Sequence, residues 1–195
     1  MQAAVVIPVK AFHAAKLRLA PALSPHERAT LAQQMAAQVV ASAGDLPVAI
    51  VCDDPTVREW ALSVGATVRW TPGLGLDGAV QAGVAAAADD GADRIVVAHA
   101  DLPMAAGFSH IIGVDGVVIV PDRHRDGTNV ITVPAHSGFR FAYGPNSFAR
   151  HQAEAIRLGL PVEVHTDEAL GWDVDLPSDL HLPDGADLTP AGPSR

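Results

Sequence analysis

Short segments made only of apolar residues recur along the first hundred residues, and segments with helical periodicity lie between them. Residues 3–9, 47–52 and 95–97 are rich in valine and isoleucine without polar alternation, which is typical of strands covered on both faces. Residues 67–70 form a further short strand candidate. Two parallel strands require a crossover of about a dozen residues or more, usually a helix. The alternation therefore predicts an α/β protein with a parallel, doubly wound sheet.

The segments between these strands carry helix start and stop signals. Ser24 and Glu27 form a capping box with proline at the first helical position. An apolar stripe at four-residue spacing follows the box, at Leu31, Met35 and Val39. Asp54 begins a second predicted helix that ends at Gly65, and residues 77–89 form an alanine-rich third helix.

The pattern changes in the second half of the chain. Residues 117–120 and 130–133 are β-branched runs separated by a polar, glycine-containing loop, which predicts a hairpin and hence a mixed, mostly parallel sheet. Asn146 or Ser147 is a candidate cap for a further helix. Residues 162–164 then predict an edge strand.

Length and composition restrict the class of protein. We predict one domain over residues 1–182, followed by a mobile tail over 183–195 that lacks apolar periodicity. A net charge of -9 argues against a nucleic-acid partner, because counterion release requires clustered basic residues. Cys52 is the single cysteine and no apolar run reaches membrane-spanning length, so we expect a cytoplasmic protein without a membrane partner. The sequence does not decide whether the protein forms a homodimer.

Carboxylates follow two of the later segments. Asp101 comes after a buried strand, where α/β sheets bind ligands, although it could equally cap a helix. Asp173 and Asp175 are separated by one residue, so in an extended segment both side chains point the same way. If the fold brings all three together, they suit Mg²⁺, whereas the alternative is that the pair caps a short helix near Pro177. His99 is predicted to be structural.

Three basic residues, Lys10, Lys16 and Arg18, follow the first strand in a chain that is otherwise acidic. Such a loop can receive a phosphate chain, and the alternative is a solvated basic face. It lacks the G-x-x-x-x-G-K-[ST] sequence of a P-loop. Residues 127–129 and 143–147 are glycine-containing loops, and the second opens a helix whose amino end can bind an anion.

A G-x-G-x-x-G sequence at Gly73, Gly75 and Gly78 has the spacing of a dinucleotide-binding fingerprint. Thr71-Pro72 stands where the fingerprint has a tight strand-to-helix turn, which disfavours an NAD(P)-binding reductase but keeps it as an alternative. The nine histidines show no zinc-ligand spacing, so no zinc site is predicted. The chain also lacks the G-x-S-x-G of an α/β-hydrolase.

Six segments together resemble one enzyme family in their order and spacing. They are IPVK (7–10), AKLRLAP (15–21), ADLP (100–103), DGTN (126–129), YGPNSFARH (143–151) and DVDLPSDL (173–180). The chain resembles the guanylyltransferases of coenzyme F(420) biosynthesis, which act on 2-phospho-L-lactate, phosphoenolpyruvate or 3-phosphoglycerate. The resemblance implies a three-layer nucleotidyltransferase fold of the glycosyltransferase-A kind. It also implies transfer of GMP from GTP with release of pyrophosphate.

The resemblance also implies roles for individual residues. The implied Mg²⁺ ligands are Asp101, Asp173 and Asp175. The implied nucleotide-binding residues are Lys10, Lys16, Arg18, Asp77 and Asp101, of which Lys16, Arg18 and Asp101 are catalytic. The implied acceptor-binding residues are Thr128, Gly144 and Ser147.

Two positions depart from the family pattern. Asp77 stands where the family usually has asparagine, and Leu17 where it usually has threonine, so the nucleotide contacts at both positions are in doubt. The sequence does not choose the acceptor, although phosphoenolpyruvate is favoured, because the alanine-rich composition is typical of GC-rich bacterial genomes, where it is a common substrate of the family. A nucleotidyltransferase of the molybdenum-cofactor or sugar-phosphate type is a closer alternative than the reductase.

Overall fold

The computed structural model describes residues 2–189, within which seven strands form one sheet. They are β1 (Ala3–Pro8), β2 (Val48–Cys52), β3 (Thr67–Trp70), β4 (Arg94–Ala98), β5 (Val117–Pro121), β6 (Thr128–Pro134) and β7 (Val162–Val164). Their order is β3-β2-β1-β4-β6-β5-β7. Strand β6 is antiparallel to both of its neighbours, and the other pairs are parallel. The predicted mixed, mostly parallel sheet is confirmed, as is the β5–β6 hairpin.

Six α-helices occur in the same residues. They are α1 (Pro25–Ser42), α2 (Pro55–Ser63), α3 (Gly75–Asp89), α4 (Ser109–Ile112), α5 (Ser147–Arg157) and α6 (Glu168–Gly171). The capping box is confirmed, because Ser24 and Glu27 accept each other's backbone N–H groups at the start of α1. Asp54 caps α2, because its side chain accepts the backbone N–H groups of Thr56 and Val57. No helix in the described part of the chain is long and apolar enough to cross a membrane.

The helices cover both faces of the sheet, which makes a three-layer α/β/α structure. Val5 and Ile7 of β1 pack into a cluster with α1 and α2, whereas Ala4 and Val6 pack into a second cluster with α3 and α5. Side chains alternate along a strand, so a strand covered on both faces needs apolar residues at every position. This requirement explains the continuous apolar runs in the sequence. Cys52 is buried at the end of β2 and packs in the first of these clusters.

A third, smaller apolar cluster lies near the carboxyl ends of the strands. It contains Leu19, Leu23, Leu31, Met35, Val174 and Leu180. These residues come from the loop after β1, from α1 and from the segment that follows α6. The cluster therefore holds the basic loop and the second acidic segment against the same helix.

The predicted tail lies partly outside the described residues. Up to residue 189 the chain folds back on itself, because His181 and Asp187 form an antiparallel bridge. The N–H of Leu188 also donates to the carbonyl of Leu180 at 2.9 Å. Residues 190–195 are not described, so the mobility of the tail stays a prediction.

Helix α3 lies close to the sheet at Gly83. A Cβ atom added there would lie 2.5 Å from Val51 Cγ1 and 2.8 Å from Val6 Cγ1. We expect Gly83→Ala to lower the free energy of unfolding by about 1–3 kcal/mol, because the stiff valines must move. Urea unfolding midpoints measure this change. Val51→Ala should lower the free energy of unfolding less in the Gly83→Ala variant than in the wild type, because it removes the crowding methyl groups. If the two losses simply add, the close contact is contradicted.

Candidate active site

A cleft opens where the sheet topology reverses. Strands β1 and β4 are neighbours, and the chain leaves β1 towards β2 on one side while β4 lies on the other. Ligands of open α/β sheets bind at such a switch point, beyond the carboxyl ends of the strands. The cleft has a volume of about 900 Å³, and its lining includes Lys10 after β1 and Asp101 after β4.

Lys16 connects the two sides of the cleft. Its Nζ donates to Asp101 Oδ2 at 2.6 Å and to Asp175 Oδ1 at 3.0 Å. Its backbone has a left-handed φ of 55°, which is uncommon for a residue with a side chain and is often found at functional sites. Burial opposes the charged form, but the two carboxylates outweigh it and raise the pKa of Lys16. The ammonium group is therefore a fixed positive charge in the cleft.

Asp101 is ionised although it is largely buried. Burial favours the neutral acid, but the Lys16 ammonium holds the pKa of Asp101 below its usual value. Within residues 2–189, Asp101 Oδ1 and His99 Nε2 are buried without a hydrogen-bond partner. A buried polar atom without a partner costs about 1–3 kcal/mol, so both atoms are available to pair with a polar group that enters the cleft. His99 was predicted to be structural, and it lines the cleft.

The second acidic segment lies directly against Asp101. The N–H of Val174 donates to the carbonyl of Asp101 at 3.3 Å, which places Asp173 and Asp175 on either side of this contact. Burial, followed by the charges of Asp101 and Asp175, raises the pKa of Asp173. The fold thus brings Asp173 and Asp175 near Asp101, but within residues 2–189 the three carboxylates are not among the groups whose ligand atoms all lie within 4.8 Å of one another. Carboxylates suit a hard divalent ion, and a cation site formed by these three stays a prediction.

Asp179 and Arg123 shape this segment, and the sequence reasoning did not identify either residue. Asp179 Oδ2 accepts the N–H groups of Asp175 and Leu176 at 2.9 and 2.7 Å, so Asp179 caps the turn Pro177–Leu180. The alternative in which Asp173 and Asp175 cap that turn is therefore wrong. The S-D pair after Pro177 was the available signal, because an acid at this position commonly reaches back to the N-cap.

Arg123 supports the same segment from its other side. Its guanidinium donates to the Asp173 carbonyl at 2.9 Å, pairs with the Asp179 carboxylate and lies 4.4 Å from the centroid of the Trp172 ring. A further nitrogen–oxygen distance, from Arg123 Nη1 to Asp173 Oδ1, is 3.6 Å. Arg123 comes from the loop after β5, so no local spacing links it to residues 172–179.

The other two basic residues of the loop, Lys10 and Arg18, are more exposed than Lys16. Lys10 is exposed and lines the cleft. The side chain of Arg18 is 74% exposed and lies 3.6 Å from Asp175 Oδ2, which leaves it free to turn towards a ligand. Gly75 and Leu76 form part of the opposite wall.

Three residues predicted to bind the acceptor lie at the same edge of the sheet but outside the lining of this cleft. Thr128 and Ser147 are 2% exposed, and only Gly144 is exposed. The N–H of Ser147 donates to the carbonyl of Gly144 at 3.0 Å. Asn146 precedes α5 with a left-handed φ of 59° and provides no side-chain cap.

Asp77 also lies outside the cleft lining. Its Oδ1 accepts the backbone N–H of Tyr143 at 2.7 Å, which joins the start of α3 to the loop before α5. The structure therefore gives this carboxylate a positioning contact between two loops. Its predicted contact with the nucleoside stays a prediction.

Comparisons with known proteins point to one family. The family model described as guanylyl transferase CofC like matches residues 3–182. A phosphoenolpyruvate guanylyltransferase of Sphaerobacter thermophilus is 35% identical over 201 residues, covering 96% of this chain and 97% of that protein. A 2-phospho-L-lactate guanylyltransferase of Natrialba magadii is 35% identical over 198 residues, covering 90% of this chain and 80% of that protein.

Solved structures share the fold at lower sequence identity. A Desulfovibrio desulfuricans protein described as a nucleotide-diphospho-sugar transferase matches with a TM-score of 0.71 and 18% identity, covering 90% of this chain and 84% of that one. A nucleotidyl transferase of Methanothermobacter matches with a TM-score of 0.63 and 15% identity, covering 91% and 94%. These similarities confirm the predicted nucleotidyltransferase fold.

The buried His151 predicts a pH-dependent stability. The N–H of Ala142 donates to Nε2 at 3.0 Å, so Nδ1 carries the proton and donates to Thr128 Oγ1, also at 3.0 Å. Burial, with the nearby His99 and Arg150, lowers the pKa of His151 to about 4. The unfolded chain binds this proton near pH 6.5 and the folded chain does not, so stability falls as the pH drops below 6.5.

We expect this group to remove about 1 kcal/mol from the free energy of unfolding between pH 7.5 and pH 5.5. Urea unfolding at the two pH values measures the loss. His151→Gln can keep both hydrogen bonds without titrating, so its stability should change less over the same range. An equal loss in wild type and variant would contradict the assignment.

Proposed function

Because this chain belongs to the family of CofC-like guanylyl transferases, we propose that it transfers GMP from GTP to a phosphorylated three-carbon acid. Phosphoenolpyruvate is the favoured acceptor, since it is named for relatives that align with nearly the whole chain. The related 2-phospho-L-lactate and 3-phosphoglycerate are the acceptors to be distinguished from it. The proposed product belongs to coenzyme F(420) biosynthesis, and we place the reaction in the cytoplasm.

One observation carries the chemical part of this proposal. The ammonium group of Lys16 is buried and joins Asp101 to Asp175 at the switch point of the sheet. Lys16 also lines the cleft of about 900 Å³. A cleft of this volume is in the usual range for a small-molecule site. Positive and negative groups lie side by side there, which is the arrangement that a nucleoside triphosphate and a divalent cation require.

We propose Mg²⁺ as the cofactor of this site. The ligand types fit, because Asp101, Asp173 and Asp175 offer hard oxygen ligands and Asp101 Oδ1 has no hydrogen-bond partner within residues 2–189, and the three carboxylates would have to move closer together around the ion. When bound, the ion would neutralise phosphate charge as it develops in the transition state. Lys16 holds Asp101 and Asp175 close together before the nucleotide arrives.

The residues of the cleft supply position and charge. An oxygen of the acceptor's phosphate attacks the α-phosphorus of GTP, a new P–O bond forms, the bond to the β-phosphate breaks, and pyrophosphate leaves. The attacking phosphate is already an anion, so the chain needs no strong general base. Lys10, Lys16 and Arg18 would bind the triphosphate oxygens, and the exposed Arg18 can reach the leaving group.

The acceptor is proposed to bind at the loops that contain Thr128, Gly144 and Ser147. Strand β6 is antiparallel to β4, so its first residues lie beside the carboxyl end of β4 and therefore near Asp101. The exposed Gly144 has a φ of 95°, which leaves its backbone open to a ligand. The buried hydroxyl of Thr128 would act through the His151 contact that holds α5 in place.

The reductase alternative depends on the loop Gly73 to Gly78. That loop follows β3, which is the edge strand of the sheet, whereas a dinucleotide fingerprint follows a central strand at the switch point. GTP with Mg²⁺ should therefore raise the melting temperature and NADH should leave it unchanged. The opposite result would favour the reductase.

Asp101→Asn tests the proposed chemistry. We expect pyrophosphate release to fall by about a hundredfold or more, because the variant removes a charge that organises the phosphate site. Urea unfolding shows whether the variant still folds. Asp45→Asn changes an exposed aspartate in the same way and should release pyrophosphate at the wild-type rate. Undiminished release by a folded Asp101→Asn protein would contradict the proposed role.

The acceptor is identified from the mass of the product. The enzyme is supplied with GTP, Mg²⁺ and each of the three phosphorylated acids in turn. We expect the GMP conjugate of phosphoenolpyruvate to form fastest. A protein that binds GTP but forms no conjugate with any of the three acids would contradict the proposed reaction and indicate a nucleotide sensor.

A further inference from the structure

Three side chains with metal-binding atoms meet on the side of the molecule near the edge strand β7. His110 lies on α4, His165 follows β7, and Asp167 precedes α6. In the part of the chain that the structure describes, their ligand atoms all lie within 4.8 Å of one another. None of the three lines the cleft that contains Asp101. The cluster is therefore separate from the proposed active site.

The geometry of the cluster is close to that of a metal site. His110 Nε2 lies 3.0 Å from Asp167 Oδ2, and the ring centroids of His110 and His165 are 5.0 Å apart. Ligand atoms around a tetrahedral Zn²⁺ are about 3.3 Å apart, given zinc–nitrogen bonds of about 2.0 Å. The His165 side chain is 35% exposed, so its ring can rotate and bring its nitrogen closer to the other two ligand atoms.

A neighbouring contact orients one of the three ligands, and a carboxylate lies near a second. Asp167 Oδ1 accepts the N–H of Leu170 at 2.9 Å as the cap of α6, so Oδ2 is the oxygen that faces His110. Glu163 Oε1 lies 3.8 Å from His165 Nδ1, beyond hydrogen-bond distance, and a small rotation of the ring would bring the two atoms into contact. Carboxylates and carbonyls commonly orient metal-binding histidines in this way.

We propose that His110, His165 and Asp167 bind one divalent transition-metal ion, with Zn²⁺ as the best match. Two imidazoles and one carboxylate favour zinc, cobalt or nickel, whereas Mg²⁺ prefers oxygen ligands alone. Three protein ligands leave a fourth position for water. The ion would link α4 to the end of β7 and to the start of α6, which leads directly to Asp173. It would thus stabilise the segment that carries the catalytic carboxylates.

Zinc binding by the full chain tests this proposal. Zn²⁺ is titrated against a chromophoric chelator in the presence of excess Mg²⁺, which competes for any oxygen-ligand site in the cleft. We expect one equivalent of tightly bound zinc and a higher melting temperature with zinc present. Even the loss of an outer partner of a zinc ligand weakens binding by about tenfold or more, so His165→Gln should weaken it at least as much.

Two further variants separate this site from nonspecific binding. Asp167→Asn keeps a side-chain oxygen to cap α6 but removes the charged ligand, so it should weaken zinc binding while α6 stays intact. His181→Gln is the matched control, because His181 pairs with Asp187 at 3.1 Å but belongs to no such cluster within residues 2–189. It should bind zinc like the wild type.

The outcomes distinguish the proposal from its alternatives. Loss of the tight equivalent in His165→Gln, with retention in His181→Gln, supports the site. Equal zinc affinity in wild type and His165→Gln overturns it, as does equal loss in the His181→Gln control or no zinc binding by the wild type. Unfolding midpoints without metal show that each variant is folded. Pyrophosphate release is measured separately and does not decide this question.

Discussion

The proposed active site depends on one ammonium group held between carboxylates. Lys16 lies 2.6 Å from Asp101 and 3.0 Å from Asp175, and without this ammonium burial would favour the neutral form of Asp101. Two like charges about 4 Å apart repel by roughly 4 kcal/mol at an effective dielectric of 20, so the carboxylates need a cation between or beside them. Lys16 meets this need in the free protein. In the proposed reaction, a nucleotide-bound Mg²⁺ would take over the same task.

The surroundings of this ion pair are built from contacts that do not line the cleft. Asp179 and Arg123 hold the segment of Asp173 and Asp175 through backbone hydrogen bonds, so the Asp175 side chain can contact Lys16 across the cleft. The third apolar cluster packs this segment and the basic loop against α1. Charged groups that repel one another are thereby fixed by apolar packing and by a neighbouring guanidinium. Because these contacts hold the segments in place, the side chains that face the cleft can be highly charged and still ordered.

The sequence by itself determined the elements of the fold. Buried strands need apolar residues on both faces, which leaves a continuous apolar run such as the one before Pro8. Helix starts need side chains that accept the free N–H groups, which leaves a local pattern such as the capping box at Ser24. Strand β6 and its hairpin with β5 were also predictable, from two β-branched runs around a polar loop. The chemical types of the site residues were visible too, because an acid after a buried strand is conspicuous at Asp101. Its role as ligand or cap was not decided locally.

Only the tertiary structure decided which of these residues meet. The Lys16 contacts span 85 and 159 residues of sequence, and they exist because β1 and β4 are neighbours in the sheet. The same holds for Arg123, for the buried His151 and for the cluster of His110 with His165, which no local spacing indicates. A sequence pattern reports interactions between residues a few positions apart. Strand order and packing set the distances between remote segments, and therefore the charges and ligands that each site contains.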